Sequence, residues 1–189
     1  MARAEHARLV IPRTVESGGL DNNGNMGIIA ASPPRSAIFD LVLIVHILVA
    51  ILSVITMAAA YAAASSLSSL GSDGSWPSSA VRFFRPGPEV IGRVIHLLPV
   101  TGLALLGLSR GAFQLTDGFV MAGLALWLIG GGIAELVVFP ASRDIASAIG
   151  AQDPAESAIV RGLAGKLRWG VDAVILSLGI AAIVMLAQP

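Results

Sequence analysis

FVMAGLALWLIGGGIAELVVFP, residues 119 to 140, holds a single formal charge, Glu135. As a helix rising ~1.5 Å per residue, Phe119 to Phe139 would reach roughly 32 Å, enough to cross a bilayer core of about 30 Å. Glu135 falls about one turn inside the end marked by Pro140. A carboxyl group at that depth costs free energy unless it is protonated, paired or wetted, so Glu135 is a candidate functional residue.

The rest of the chain agrees with this reading. Of 189 residues, 55% are hydrophobic and 13% charged, and the mean hydropathy is +0.81. A soluble domain carries about 25% charged residues, so lipid is the expected surroundings. The charges gather between four apolar blocks, which predicts one all-α domain over residues 37–189, an integral membrane four-helix bundle in up-and-down order. The spans are about 38–64, 90–108, 119–139 and 167–187. Cysteine is absent, which excludes disulfides, thiolate metal sites and cysteine catalysis. No basic tract suggests nucleic acid, and the expected contact is the lipid bilayer.

Residues 1–36 mix charges with Gly, Asn and Pro and lack a signal-peptide core, so a disordered tail is expected, with Met26 an alternative translation start. In the first span His46, Ala50, Ser53, Met57 and Ala60 share one face, small and polar, which should turn toward other helices. The second span contains HLLPVTG, from His96 to Gly102. Pro99 has no N–H for the carbonyl four residues back, that of Ile95, and predicts a kink there. Gly130, Gly131 and Gly132 in the third span permit a close helix crossing. Trp127 should pack among apolar neighbours, while Trp169 beside Arg168 suits the interfacial belt. After Pro140 the helical pattern continues to a stop at Gly150. Asp153, Pro154 and Glu156 then read as the cap, first-turn proline and capping-box acid of the fourth helix.

Orientation follows from basic residues near the spans. One side holds Arg82, Arg85, Arg93, Arg143, Arg161, Lys166 and Arg168; the other holds Arg35 and Arg110, with Arg3, Arg8 and Arg13 if the tail is counted. This predicts both termini outside the inner membrane, with loops 65–89 and 140–166 cytoplasmic.

Four antiparallel spans bring His96, Glu135 and Asp172 to a similar depth, roughly 6 to 9 Å inside one membrane face. Such a cluster could share protons, stabilise an imidazolium or offer N and O ligands to a divalent metal. Arg93 and Arg168, about one turn closer to water, could instead neutralise the acids, which would make the cluster an interfacial lock. His46 and His96 raise a further alternative, haem held by a His from each of two helices; a core His46 bonded to Ser, Thr or a carbonyl is the competing fate. No nucleophile with a base in sequence context and no phosphate loop is visible, so turnover is the minority reading.

His46 in the first span, VTGLALLGLSRG at Val100 to Gly111, the step from Pro140 to Arg143 and the closing VMLAQP at Val184 to Pro189 together resemble a bacterial four-span family. Its members are predicted integral membrane proteins of unknown function, distantly similar to the copper resistance D family. The resemblance covers about Ile38 to Pro189 and implies possible handling of copper or haem b through His46 and His96. The residues themselves favour a non-catalytic accessory or small-solute/ion-handling membrane component. A structural subunit of a homo-oligomer or larger membrane complex is the remaining alternative.

Overall fold

The first helix begins where Ser36, in extended backbone, accepts the N–H of Phe39 on its hydroxyl at 3.2 Å. That bond relieves one of the orphan donors of the first turn. The computed structural model describes residues 36–67, 76–84, 92–151 and 157–187, and Arg35–Pro189 form one compact unit. The described residues contain helices and no strand. They are α1 (Ala37–Ser66), short α2 (Ser78–Phe83), a 3-10 turn (Gly92–His96) leading into α3 (Leu97–Leu108), α4 (Gly118–Ile133), a π-helical turn (Ala134–Val138) leading into α5 (Phe139–Ala151), and α6 (Ser157–Leu186). The expected disordered tail, except Ser36, and the expected cap at Asp153, Pro154 and Glu156 lie outside the described residues.

Among the described residues three helices are long and apolar enough to cross a membrane: α1, the continuous stretch Gly118–Gly150, and α6. The second block of the sequence forms a shorter apolar helix, Arg93–Leu108. In place of a simple kink, this helix changes type. The 3-10 turn ends at His96 and the α-helix starts at Leu97, which puts Pro99 in the first turn of α3, where its missing N–H leaves the carbonyl of Ile95 without a helical donor. Pro140 acts differently. It has no N–H for the carbonyl of Leu136 and its ring crowds that carbonyl. The helix widens to a π turn over Ala134–Val138 and then continues as α5.

The pairing of α4 with α6 is antiparallel and can be read from its glycines. A Cβ added at Gly123 would overlap Met185; one at Gly130 would lie 3.3 Å from Ser177 Cβ; one at Gly170 would lie 3.0 Å from methyls of both Val137 and Val138. Ser177 also donates its hydroxyl to the carbonyl of Leu126 at 2.7 Å. Of the expected glycine triplet, Gly130 makes the close approach to α6, Gly131 faces the Trp127 ring, and a side chain at Gly132 would meet nothing within 4 Å. α6 also packs on α1, and α1 on α3, so α1 and α6 form the middle of the assembly. The expected inward face of α1 is found: Ser53, Met57 and Ala60 are buried, and His46 and Ala50 are partly buried.

Buried side chains concentrate toward one end. Leu67 of the turn after α1, Ile95, Val138, Ile145, Val160, Leu167 and Val171 are almost completely enclosed, where α5 lies along the first half of α6. Elsewhere α1 presents Ile38, Leu41, Ile44, Leu48 and Ile55 outward, each more than half exposed. In water that surface would cost about 25 cal/mol per Å². Against acyl chains the cost vanishes, and helices there associate by fit and hydrogen bonds rather than by apolar burial.

Candidate functional site

His96 is the last residue of the 3-10 turn, and Glu135 the second residue of the π turn; their elements are thus the two irregular pieces of otherwise regular helices. The π turn is a consequence of Pro140, and such turns recur at functional sites because they reorient one or two side chains without ending the helix. Across the gap His96 donates from Nε2 to Glu135 Oε1 at 2.8 Å. Both side chains remain open, 34% exposed for His96 and 43% for Glu135. The pair therefore faces the surroundings sideways between the α3 and α4 segments instead of lying sealed in the core.

The His96 ring is braced. Trp127 lies edge-on to it at 6.2 Å between centroids and Phe139 at 6.4 Å. The Trp127 indole donates to the carbonyl of Ile95 at 3.0 Å, the same carbonyl that Pro99 leaves without its helical donor. Trp127 thus does more than pack among apolar neighbours: it closes a backbone bond that proline left open and ties α4 to the residue preceding His96. Sequence reasoning had both halves of this contact, the freed carbonyl and an indole N–H in the next span, but no register to join them.

Asp172 stands apart. The α4/α6 contacts run from Gly130 opposite Ser177 to Val137 and Val138 opposite Gly170, which puts Asp172 at the level of Glu135. Level is not direction, however. Asp172 follows Gly170 by two residues, a rotation of ~200° about the helix, so it projects away from α4. Its side chain is exposed and joins neither His96 nor Glu135 by a hydrogen bond or ion pair among the described residues. No group of three His, Cys, Asp or Glu able to hold a metal ion occurs among the described residues. Arg93 is exposed and Arg168 partly buried, and neither pairs with a carboxylate among the described residues.

His46 belongs to a different contact. Its Nδ1 lies 2.7 Å from Thr101 Oγ1, and that hydroxyl also lies 2.9 Å from the carbonyl of Leu97, to which it donates. The same hydroxyl also lies 3.1 Å from the carbonyl of Leu98, so the Thr101 side chain joins His46 to the backbone of the first turn of α3. His46 Cε1 would touch a Cβ at Gly102 at 3.6 Å, so α1 crosses α3 at Thr101 and Gly102. This crossing is five residues beyond His96. His46 and His96 therefore serve separate contacts, and the Nε2 of His96 is occupied by Glu135.

The arrangement offers one preorganised, partly exposed His–carboxylate pair at the level of a helix distortion, and a second histidine fixed by a threonine at another helix crossing. Comparison with protein families, with curated proteins and with solved structures finds no match to this chain.

Proposed function

We propose that the protein is a non-catalytic membrane component that handles protons or a small solute at the His96–Glu135 pair, within an up-and-down bundle of four spans. The observation that carries this reading is the 2.8 Å contact itself, made by two side chains that each keep a polar atom and about a third or more of their surface open. An interfacial lock would be better served by a closed pair. Glu135 Oε2 and His96 Nδ1 have no polar partner among the described residues, which leaves one acceptor and one ring nitrogen for a proton, a water or a polar solute.

The shorter second helix is compatible with a fourth span. Five 3-10 residues at ~2.0 Å and twelve α residues at ~1.5 Å reach about 28 Å, near the thickness of the hydrocarbon core. The excess of Arg and Lys in loops 65–89 and 140–166 supports placing them in the cytoplasm, with both termini outside the inner membrane.

Reconstitution into vesicles with an entrapped pH-sensitive dye tests the function. Under an imposed potential, wild-type protein should conduct protons above protein-free vesicles, and Glu135→Gln and His96→Ala should each lower the rate about tenfold, the equivalent of ~1.4 kcal/mol. Asp172→Asn should leave it unchanged. A wild-type rate equal to that of empty vesicles, or unchanged rates in both pair variants, rejects the reading.

A second reading follows from His46, whose Nδ1 is held by Thr101 in the way second-shell partners hold metal-binding histidines, while its Nε2 has no polar partner among the described residues. Haem b or copper bound through His46 and His96, as the family resemblance implies, would have to use Nδ1 of His96, because its Nε2 is held by Glu135. A Soret band or stoichiometric copper that disappears in His46→Ala would favour this reading.

A further inference from the structure

The outward face of α6 has a repeat that no contact among the described residues explains. Gly162, Trp169, Leu176 and Ile183 recur every seven residues, and Ala158, Gly165, Asp172 and Gly179 form the parallel series three residues out of step. Seven residues are two turns of a helix slightly underwound, and alternating steps of three and four define the seam of a left-handed helix pair. Trp169, Leu176 and Ile183 are 63%, 65% and 66% exposed, nearly equal over two heptads, so none of the three is covered by the described residues. Gly162, Gly165 and Gly179 would each accept a Cβ with nothing within 4 Å. A glycine in a helix interior costs ~0.5–1 kcal/mol relative to alanine, and the glycines facing α4 at positions 130 and 170 repay it by close contact. Those on the outer seam make no such contact with the described residues.

Asp172 sits in the middle of this line, one turn deeper than Trp169, and has no partner among the described residues. Arg168 lies one turn before it on the same flank, again without a carboxylate among the described residues. A carboxylate turned toward acyl chains is costly, and a single polar residue in a heptad seam sets register and partner. α1 also presents a broad outward face, but from Leu41 to Ile55 that face is aliphatic, which lipid alone satisfies.

We infer that the outward face of α6 binds a second copy of this chain, the two α6 helices running parallel about a two-fold axis along the bilayer normal. The surface is self-complementary in charge. A two-fold axis brings Asp172 of one copy within a turn of Arg168 of the other, twice, and stacks Leu176 and Ile183 against their own copies with Gly165 and Gly179 allowing the approach. The inference depends on the membrane reading but not on the His96–Glu135 pair.

The chain has no cysteine, so single-cysteine variants report contacts without background. In native membranes under mild oxidation, Leu176→Cys and Ile183→Cys should form disulfide-linked dimers, while Ile47→Cys on the exposed face of α1 should not. Asp172→Arg in the Leu176→Cys background should lower the dimer yield about tenfold, equivalent to ~1.4 kcal/mol, and the exchange of both charges, Arg168→Asp with Asp172→Arg, should restore it. Equal yields at positions 47, 176 and 183, a monomeric mass in mild detergent with no cross-link at either seam position, or cross-linking only into a larger product of different composition would each overturn the assignment. The cysteine variants alter exposed positions only, so they decide the question even if Asp172→Arg fails to fold. A monomer with intact proton flux would refute the dimer alone.

Discussion

Glycine identity at single positions separates packing from convenience. Gly170 faces two valines whose methyls stand 3.0 Å from where a Cβ would be, and those valines belong to the π turn that carries Glu135. Gly170→Ala must push α6 away from that turn, at a cost of ~1–3 kcal/mol typical of overpacking. Gly132→Ala meets nothing and should gain ~0.5–1 kcal/mol from helix propensity. Thermal unfolding in a mild detergent should therefore rank Gly132→Ala above wild type and wild type above Gly170→Ala; the reverse order would mean that the α4/α6 register is different. The triplet Gly130 to Gly132 is conspicuous as text, yet three neighbours on a helix span ~200° and cannot share a face. Gly123 and Gly170, isolated in the sequence, join Gly130 on the contact line.

The element that fixes the height of α3 against α4 is the turn between them. Arg110 has φ 52° and Gly111 φ 87°, both in the left-handed region, where a side chain crowds its own backbone. Ser109 compensates, donating its hydroxyl to the Leu106 carbonyl at 2.7 Å and accepting the N–H of Phe113 at 3.3 Å. Asp117 accepts the N–H of Gln114 at 2.8 Å. Arg110→Gly should stabilise the turn by ~1–2 kcal/mol, whereas Gly111→Val should destabilise it by about 1–3 kcal/mol. Unfolding midpoints check both, and a stabilising Gly111→Val would show the turn to be built otherwise.

For the whole molecule the governing quantity is which side each loop occupies. Thr116, exposed in the α3–α4 turn, and Ser147, exposed on α5, stand near opposite ends of the long stretch Gly118–Gly150. In intact cells a membrane-impermeant maleimide should label Thr116→Cys, and label Ser147→Cys only after permeabilisation. Labelling of Ser147→Cys from outside would invert the arrangement and leave the span count intact. Equal labelling of both in intact cells would deny that Gly118–Gly150 crosses at all.

Sequence alone determined the class. Long uncharged runs admit only structures that satisfy their own backbone, and with Leu, Ile, Val and Ala in blocks that structure is helical. The inward face of α1, the orphaned Ile95 carbonyl and the common level of His96, Glu135 and Asp172 also follow from periodicity and counting, because rise and turn per residue are nearly constant along a helix. Azimuth is a different matter. The direction in which Asp172 points depends on how α6 is rotated against α4, and that rotation is set by Gly123, Gly130, Gly170 and Ser177 fitting their opposites. Likewise the meeting of Trp127 with Ile95 and of His46 with Thr101 required two helices to settle at one height and one rotation. Apolar patterning in lipid carries little information about either, since acyl chains satisfy every apolar face equally; only shape and hydrogen bonds between helices choose among them.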